Sequence, residues 1–334
     1  MKKILVLILI LSILAFAVAG CSTKGGESVK TGLAVLTSVA KSKDAGEAAG
    51  LAQADSVIVA VTVDNDGVIQ NCVIDTVQTK INFAADGTVT TALNTVFAGK
   101  QELGEGYGMK KASAIGKEWH EQANALAEYV KGKTVEQVKG IAVNEEGVPT
   151  DADLTSSVTV HITDYVAAIE KAVANAKSLG ANAGDKIGIG VTSTVDKSKA
   201  ATADKAGLAQ AYANITVVTV DKSGVITSCI IDAVQGNVNF DAQGKITTDL
   251  ATRPKTKNEL GDGYGMKASS GIGKEWYEQA AAFAKYVTGK NLGEVKGIAM
   301  SAEGVPTDSE LTSSVTVHAG PFVSIIEKAI GSAR

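Results

Sequence analysis

The chain has 334 residues, a formal net charge of −4 and three cysteines. A weakly acidic chain gains nothing from the phosphate backbone, so the charge argues against nucleic acid as a partner. Three cysteines in a chain of this length do not form a disulfide framework, and no Cys/His spacing of a zinc or haem site occurs. The composition therefore predicts no metal site, and the length suggests two domains.

The first 20 residues have the pattern of an export signal. Met1-Lys2-Lys3 is basic, and the apolar run that follows over 4–19 is shorter than the roughly 20 residues of a spanning helix. The run ends in Val18-Ala19-Gly20-Cys21, which resembles the lipobox of bacterial lipoproteins. The resemblance implies that a signal peptide over 1–20 is removed and that Cys21 carries the lipid (palmitate) anchor. An ordinary secretory signal with a chance cysteine is the alternative.

A polar, glycine-containing stretch over 21–31 is predicted to be a tether between this anchor and the folded part of the chain. Fully extended, it would keep the first domain within about 30–35 Å of the membrane.

The rest of the chain is an internal duplication. The segment YGMKKASAIGKEWHEQ from Tyr107 returns as YGMKASSGIGKEWYEQ from Tyr264, and Trp119 and Trp276 are 157 positions apart (276 minus 119). A period of this length is a whole domain, not a solenoid repeat. We predict one domain over 32–177, a second over 187–334, and a small, polar linker over 178–186.

Each copy has the pattern of an α+β domain with an antiparallel sheet. The first copy is predicted to contain strands at 57–63 and 68–77 joined by a hairpin turn, a further short strand in FAADGTVTT, a long amphipathic helix at 115–131, a short helix at 135–139 and a C-terminal helix with Thr163 as its N-cap. Pro321 marks the start of the C-terminal helix in the second copy. Cys72 and Cys229 are predicted to be buried apolar residues of the second strand.

A run rich in serine and threonine precedes each C-terminal helix. It ends in Thr159-Val160-His161 in the first copy and in Thr316-Val317-His318 in the second. One interpretation is an ordinary strand of alternating side chains, and the other is a modification or catalytic site. A histidine two positions from the threonine would share its face of a strand, but no full Asp–His–Ser arrangement is evident, which disfavours a hydrolase.

A second unusual stretch, ELGEGYGMKK and ELGDGYGMKA, lies ahead of the long helix. Its glycines would let the backbone approach a flat or anionic ligand, and its tyrosine and methionine would offer polarizable surface. The candidate ligand contacts are Gly106, Tyr107, Gly108, Met109 and Trp119 in the first copy, and Gly263, Tyr264, Gly265, Met266 and Trp276 in the second. The alternative is a tight loop closed by its own aromatic residue.

Together these two stretches resemble the FMN-binding domain family. In that family a D-x-x-(S/T)-G-A-(S/T) run ends in the threonine or serine to which FMN is joined by a phosphoester. The runs from Asp153 to Thr159 and from Glu310 to Thr316 resemble it, with the motif residues Ser156, Ser157, Ser313 and Ser314. The departures are Ser157 and Ser314 where the motif has glycine, a valine after each, and Glu310 for aspartate. The resemblance implies covalent FMN on Thr159 and Thr316.

A lipobox followed by two such domains is the layout of the surface flavolipoproteins of Gram-positive extracellular electron transfer. This resemblance implies an electron carrier on the outer face of the cell membrane, modified by a flavin transferase. It also implies a membrane quinol-linked dehydrogenase as donor and external acceptors such as ferric iron or free flavins. Ferric or flavin reductase activity stays open. Two alternatives also remain: a lipoprotein that binds flavin or another small molecule non-covalently, and a structural tandem-repeat surface module.

Overall fold

The computed structural model describes residues 27–334. The predicted signal peptide, Cys21 and most of the predicted tether lie outside the described residues. Within 27–334, no helix is long and apolar enough to cross a membrane.

The two copies form the same long elements in the same order, and the second copy has no counterpart of the short strand Val96–Ala98 or of the single-turn helix Ala152–Thr155. The first copy comprises β1 (Lys30–Ser38), β2 (Gly50–Val63), β3 (Ile69–Phe83), β4 (Val96–Ala98), α1 (Lys100–Leu103), α2 (Trp119–Tyr129), α3 (Val135–Lys139), α4 (Ala152–Thr155) and α5 (Thr163–Ala174). The second copy comprises β5 (Lys186–Thr194), β6 (Gly207–Val220), β7 (Ile226–Phe240), α6 (Lys257–Leu260), α7 (Trp276–Val287), α8 (Leu292–Lys296) and α9 (Gly320–Ser332).

The predicted α+β class with antiparallel sheets is confirmed. Strands β1, β2 and β3 pair in sequence as one antiparallel sheet, and β5, β6 and β7 do the same in the other. The predicted hairpin turn joins β2 to β3. Strand β4 of the first copy leaves its own sheet and pairs with β5 of the second, where Val96 lies opposite Thr194.

Several predicted boundaries were wrong by a few residues. The fold begins inside the predicted tether, because β1 starts at Lys30. Helix α2 begins at Trp119 instead of 115, since the buried Glu118 caps it through a reciprocal bond with Glu121. Ile162 occupies the N-cap position that was predicted for Thr163.

Two predictions about strands also need correction. The stretch FAADGTVTT forms only an isolated bridge between Phe83 and Val89 instead of a short strand. The first strand of each copy, β1 or β5, was not predicted. Each sheet therefore contains one long strand more than the hairpin that was predicted for it.

The predicted linker over 178–186 is held against the first copy. Ala181 is buried, and its carbonyl accepts a hydrogen bond of 3.0 Å from the N–H of Val29. Ser28 forms an antiparallel bridge with Asn182. The connection between the copies is therefore part of the fold.

The molecule has four layers, with the two sheets face to face in the middle and the helices outside. One apolar cluster lies between the first sheet and α2 and α5, and an equivalent cluster lies between the second sheet and α7 and α9. Two further clusters contain residues of both sheets. There the rings of Phe83 and Phe240 stack with centroids 4.2 Å apart.

Polar groups within this shared core bond to one another. The hydroxyl of Thr79 donates to Ser193 Oγ at 2.7 Å, and the hydroxyls of Thr31 and Ser228 lie 2.8 Å apart. Each pair joins one copy to the other, so the hydroxyls of Thr79, Ser193 and Thr31 have these partners only when both copies are folded together. Ser228 bonds in addition to Thr219 of its own copy at 2.7 Å.

We expect the two copies to unfold as one unit. Replacing Phe83 by Ala removes a ring that both copies enclose, at a cost of about 3–5 kcal/mol. Urea unfolding can be followed in a Trp119→Phe background, where Trp276 reports on the second copy, and in a Trp276→Phe background, where Trp119 reports on the first. Phe83→Ala should lower the midpoint in both. Leu93→Ala, at a side chain 46% exposed, is the control and should shift neither. A shift seen by Trp119 alone would contradict the shared core.

Candidate functional site

Thr159 lies in an irregular loop, so the interpretation of its run as a strand is wrong. The loop follows the single turn α4, whose N-terminus is capped by Asp151 accepting from the N–H of Asp153 at 3.0 Å. Thr159 is half-buried, and Thr316 has the same position and exposure class in the second copy.

A buried glutamine holds each threonine. The N–H of Thr159 donates to Gln122 Oε1 at 2.8 Å, and the Thr159 hydroxyl donates to the same oxygen at 3.2 Å. Gln122 is fully buried, and its Nε2 donates to Ser113 Oγ at 3.0 Å. Gln279 makes the corresponding bonds to Thr316 at 2.8 and 3.2 Å. The threonine hydroxyls are thus fixed by helices α2 and α7.

His161 and His318 do not pair with the threonines. Nδ1 of His161 bonds the carbonyl of Glu146, and Nδ1 of His318 bonds that of Glu303. A carbonyl only accepts, so each Nδ1 carries a proton and donates it. The geometry gives no support to a hydroxyl activated by a neighbouring histidine.

The remaining residues of the threonine run are mostly exposed. Asp153, Ser156, Glu310 and Ser313 lie at the surface. The hydroxyls of Ser157 and Ser314 turn back to the carbonyls of Leu154 and Leu311, each at 3.1 Å. These short side chains leave the approach to each threonine open.

The glycine loop is folded onto its own carboxylate. Gly104 to Tyr107 form one 3-10 turn, and Gly108 ends it in the left-handed region at φ 77°. The next two amides, of Met109 and Lys110, donate to the two oxygens of Glu118 at 2.9 Å each. Gly265 and Glu275 repeat the arrangement. These amides are therefore occupied, so they do not form an anion-binding nest.

The amide bonds also set the charge of Glu118. Removal from solvent acts to raise the pKa of its carboxyl, but the hydrogen bonds from Lys110 and Met109 outweigh that effect and lower it. Glu118 is thus a carboxylate at neutral pH, and it ties the loop to the N-terminus of α2, where negative charge is favoured.

The two tryptophans belong to the core. Trp119 is 2% exposed, and its indole N–H donates to the Tyr165 hydroxyl at 2.9 Å. Trp276 is equally covered, with its ring edge-on to Phe322 at 5.9 Å. Tyr107, Met109, Tyr264 and Met266 are half-buried against these clusters. The tyrosines and methionines retain some open surface, whereas the tryptophans have almost none.

A buried lysine beside each tryptophan was not predicted. The ammonium of Lys257 donates to the Tyr212 hydroxyl at 2.8 Å and lies 4.4 Å from the Tyr264 ring centroid and 4.7 Å from that of Trp276. Lys100 lies 4.3 Å from the Tyr107 centroid in the first copy. Burial lowers the pKa of Lys257 to about 8, opposed by the nearby charge of Asp232.

A buried aspartate follows the same pattern in each copy. Asp75 accepts from the N–H of Thr76 at 2.7 Å and from that of Gln101 at 3.0 Å. Burial raises the pKa of Asp75 to about 6, and burial does the same for Asp232. Both carboxyls lie beneath the short helices α1 and α6.

The structure therefore brings the glycine loop and the threonine loop together at the first turns of α2 and α7. Glu118 holds one loop, and Gln122 holds the other, one turn along the same helix. Neither Glu118 nor Gln122 was predicted as a site residue from the sequence. Their signal was nevertheless present, because KEWHEQ and KEWYEQ repeat this pair in both copies.

Among residues 27–334, no three His, Cys, Asp or Glu side chains are grouped so that they could hold a metal ion. Cys72 and Cys229 are buried and free, as predicted. Burial raises the pKa of the Cys72 thiol to about 12, so it is a neutral core residue at physiological pH.

Comparison with known proteins found a short local match to one curated protein and no match to a family model or a solved structure. A segment of 42 residues is 52% identical to part of a chlorophenol reductase of Desulfitobacterium hafniense. The match covers 13% of this chain and 13% of that protein's length, so it extends to neither whole protein.

Gln122→Leu should loosen the threonine loop. The substitution keeps the size of the side chain but leaves the Thr159 N–H without its partner, at a cost of about 1–3 kcal/mol. We expect a lower free energy of unfolding and faster hydrogen exchange at the Thr159 amide. Gln243→Leu, at an exposed turn, is the control. Unchanged protection of the Thr159 amide would show that Gln122 does not anchor the loop.

The raised pKa of Asp75 predicts a dependence of stability on pH. Folding favours the protonated carboxyl, so its contribution is complete below the unfolded pKa of 3.8 and is lost as pH rises through about 6. Relative to Asp75→Asn, whose amide oxygen can still accept both N–H groups, the wild-type protein should lose about 2–3 kcal/mol between pH 4 and 7. Urea titrations at each pH measure it. Asp66→Asn, at an exposed carboxyl, should show no such difference, and parallel profiles for wild type and Asp75→Asn would refute the prediction.

Proposed function

We propose that the chain is an electron-transfer flavoprotein that carries FMN on Thr159 and Thr316 through phosphoester bonds. Cys21 anchors it at the outer face of the cell membrane. One observation carries the proposal: both threonines are half-buried in equivalent, irregular loops, and a buried glutamine orients each hydroxyl. A structural module does not need a hydroxyl held in this way twice.

The loop suits a threonine that is to be esterified. Before modification, the hydroxyl proton points to Gln122 Oε1, which leaves the lone pairs of the oxygen directed elsewhere. Esterification removes that proton and its weaker bond of 3.2 Å. The Thr159 N–H still donates to Gln122 at 2.8 Å, so the loop keeps its position in both states.

The glycine loop supplies room beside the threonine. A Cβ atom built on Gly104, Gly106 or Gly108 would meet no other atom within 4 Å, and the same is true of Gly261, Gly263 and Gly265. The half-buried Tyr107 and Met109 offer the nearby apolar surface. The residues present therefore fit a flat aromatic group next to the loop.

Bound flavin would supply the redox chemistry, since it takes up and releases one or two electrons. The protein holds the two attachment points. Because the copies share a core through pairs such as Phe83 and Phe240, their separation is fixed by the fold and does not vary with a flexible linker. A fixed separation suits two carriers in series.

The partners follow from the same proposal. A flavin transferase would move FMN from FAD onto each threonine hydroxyl, breaking the pyrophosphate bond and releasing AMP. A membrane quinol-linked dehydrogenase would reduce the carrier, and small external acceptors such as ferric iron or free flavins would oxidise it. Ferric or flavin reduction would then be a property of the loaded carrier.

Co-expression with a flavin transferase tests the attachment. The chain from Ser22 should run as a fluorescent band after denaturation, with a mass increase of two FMN groups. Thr159→Ala and Thr316→Ala should each remove one group, and the double variant should be dark. Thr155→Ala and Thr312→Ala change exposed threonines of the same loops and serve as matched controls that keep both groups.

The outcomes separate the alternatives. An unmodified mass, with the transferase active on a known substrate, sinks the covalent carrier. Flavin that co-purifies but is lost on denaturation would identify a non-covalent flavin-binding lipoprotein. A colourless protein under all conditions would identify a structural module.

A further inference from the structure

A cleft of about 940 Å³ lies between the two copies. Its walls are β1 of the first copy, around Leu33 and Val35, and α7 of the second, around Ala281 and Ala284. Its volume falls within the range of small-molecule pockets. Small alanines on the helix opposite a strand leave a slot between two walls.

The cleft is separate from the threonine site. Helix α7 advances 100° per residue, so Gln279, which holds Thr316, points away from Tyr277, Ala281 and Thr288. Those three residues line the cleft. One helix thus serves the threonine loop on one face and the cleft on the other.

The rim of the cleft is positive although the whole chain is negative. Lys177 and Lys285 are exposed at the rim, and neither forms a salt bridge within residues 27–334. Lys171 and Glu259 pair across it and contribute no net charge. Asp232 also lines the cleft, but it is buried and accepts hydrogen bonds from the N–H groups of Ala233 and Asn258, so two exposed cations face one buried acidic group. An adjoining cleft of about 400 Å³ adds Lys255. An apolar slot with unpaired cations at its edge favours an anion with an apolar body.

The duplicated position in the other half of the molecule carries different side chains, which bond to one another or to near neighbours. There Asn124 replaces Ala281, and Arg334 replaces Lys177, with Arg334 Nη2 donating to Asn124 Oδ1 at 2.6 Å. Glu128 stands in place of Lys285 and pairs with Lys131 at 2.7 Å. In this half, hydrogen-bonded side chains therefore occupy the positions that line the slot in the other half, although the salt bridge between α5 and α6 recurs between α9 and α1.

We propose that this cleft binds a planar aromatic anion, with the ring between the strand and the alanines and the acidic group near Lys177 and Lys285. The short side chains of Ala281 and Ala284 suit a flat body lying against the helix, and the rim lysines favour negative charge. The site does not require flavin on either threonine, so it can be tested whether or not the protein is flavinylated.

Calorimetry with the unmodified chain from Ser22 tests the proposal. The probe is anthraquinone-2-sulfonate, and 2-(hydroxymethyl)anthraquinone is its neutral partner. We expect one sulfonate per chain, bound at least about tenfold more tightly than the neutral ring, since only the sulfonate gains from the rim cations. Lys285→Glu and Lys177→Glu should each remove that preference.

Ala281→Trp should fill the slot and abolish binding. Ala281 is exposed, so the fold should tolerate the change, and an unaltered urea midpoint would verify that. Lys222→Glu and Ala302→Trp, at exposed turns away from the cleft, are the matched controls and should bind as wild type does. Absence of binding, two molecules per chain, equal affinity for both rings, or binding that survives Ala281→Trp would each overturn the proposal.

Discussion

The face-to-face packing of the two sheets is the constraint on which the rest of the molecule depends. Each copy by itself is a three-stranded antiparallel sheet with helices on one side, and its other side is apolar. Val59 and Val61 face the helices, whereas Ile58 and Ala60 face the partner sheet. A strand buried on both faces cannot alternate between apolar and polar residues, and VIVAVTV does not. Because the domain is duplicated, the apolar face of each sheet that lacks helices packs against the other sheet. Both threonine loops are thereby held on one rigid body.

This constraint explains which parts of the fold could be predicted. Elements that depend on local sequence patterns could be predicted. These are the hairpin, the helix at 135–139 and the C-terminal helices. Strand β1 begins within a stretch that reads as a tether, because its partners are β2 and the connection near Ala181, both distant in sequence. The crossing of β4 into the other sheet is likewise fixed only by the packing of the copies. The glycines of β1 and β5 have their cause within each copy, since a Cβ on Gly32 or Gly188 would overlap the carbonyl of Ala172 in α5 or of Ala329 in α9.

At the candidate site, sequence reasoning found the loops but not what holds them. The threonine stands out in the sequence because its run is rich in Ser and Thr. The repeat of KEWHEQ marks the position of Gln122, but its role depends on its bonds to a residue 37 positions away. Trp119, in contrast, was predicted as a ligand contact but is a residue of the core. An aromatic residue near a glycine loop suggests ligand stacking, but the same residue starts an amphipathic helix and its indole is bonded inside the core. An aromatic or polar residue on one face of a helix can therefore contact a ligand or pack in the core. The sequence does not decide between these roles until the element that packs against that face is known.

The two copies of the long helix show where the duplication has been kept and where it has not. The glutamate and glutamine that hold the loops are the same in α2 and α7. Three of the four differences within Trp119–Tyr129 and its counterpart lie on the opposite face, at His120, Asn124 and Glu128, which correspond to Tyr277, Ala281 and Lys285. The fourth, Leu126 for Phe283, is a core exchange matched by Tyr165 for Phe322. The face that remains identical holds a threonine loop in both copies, and the face that has diverged lines the cleft of about 940 Å³ in the second copy. The duplication therefore accounts both for the paired threonine loops and for the different surfaces that the two long helices present.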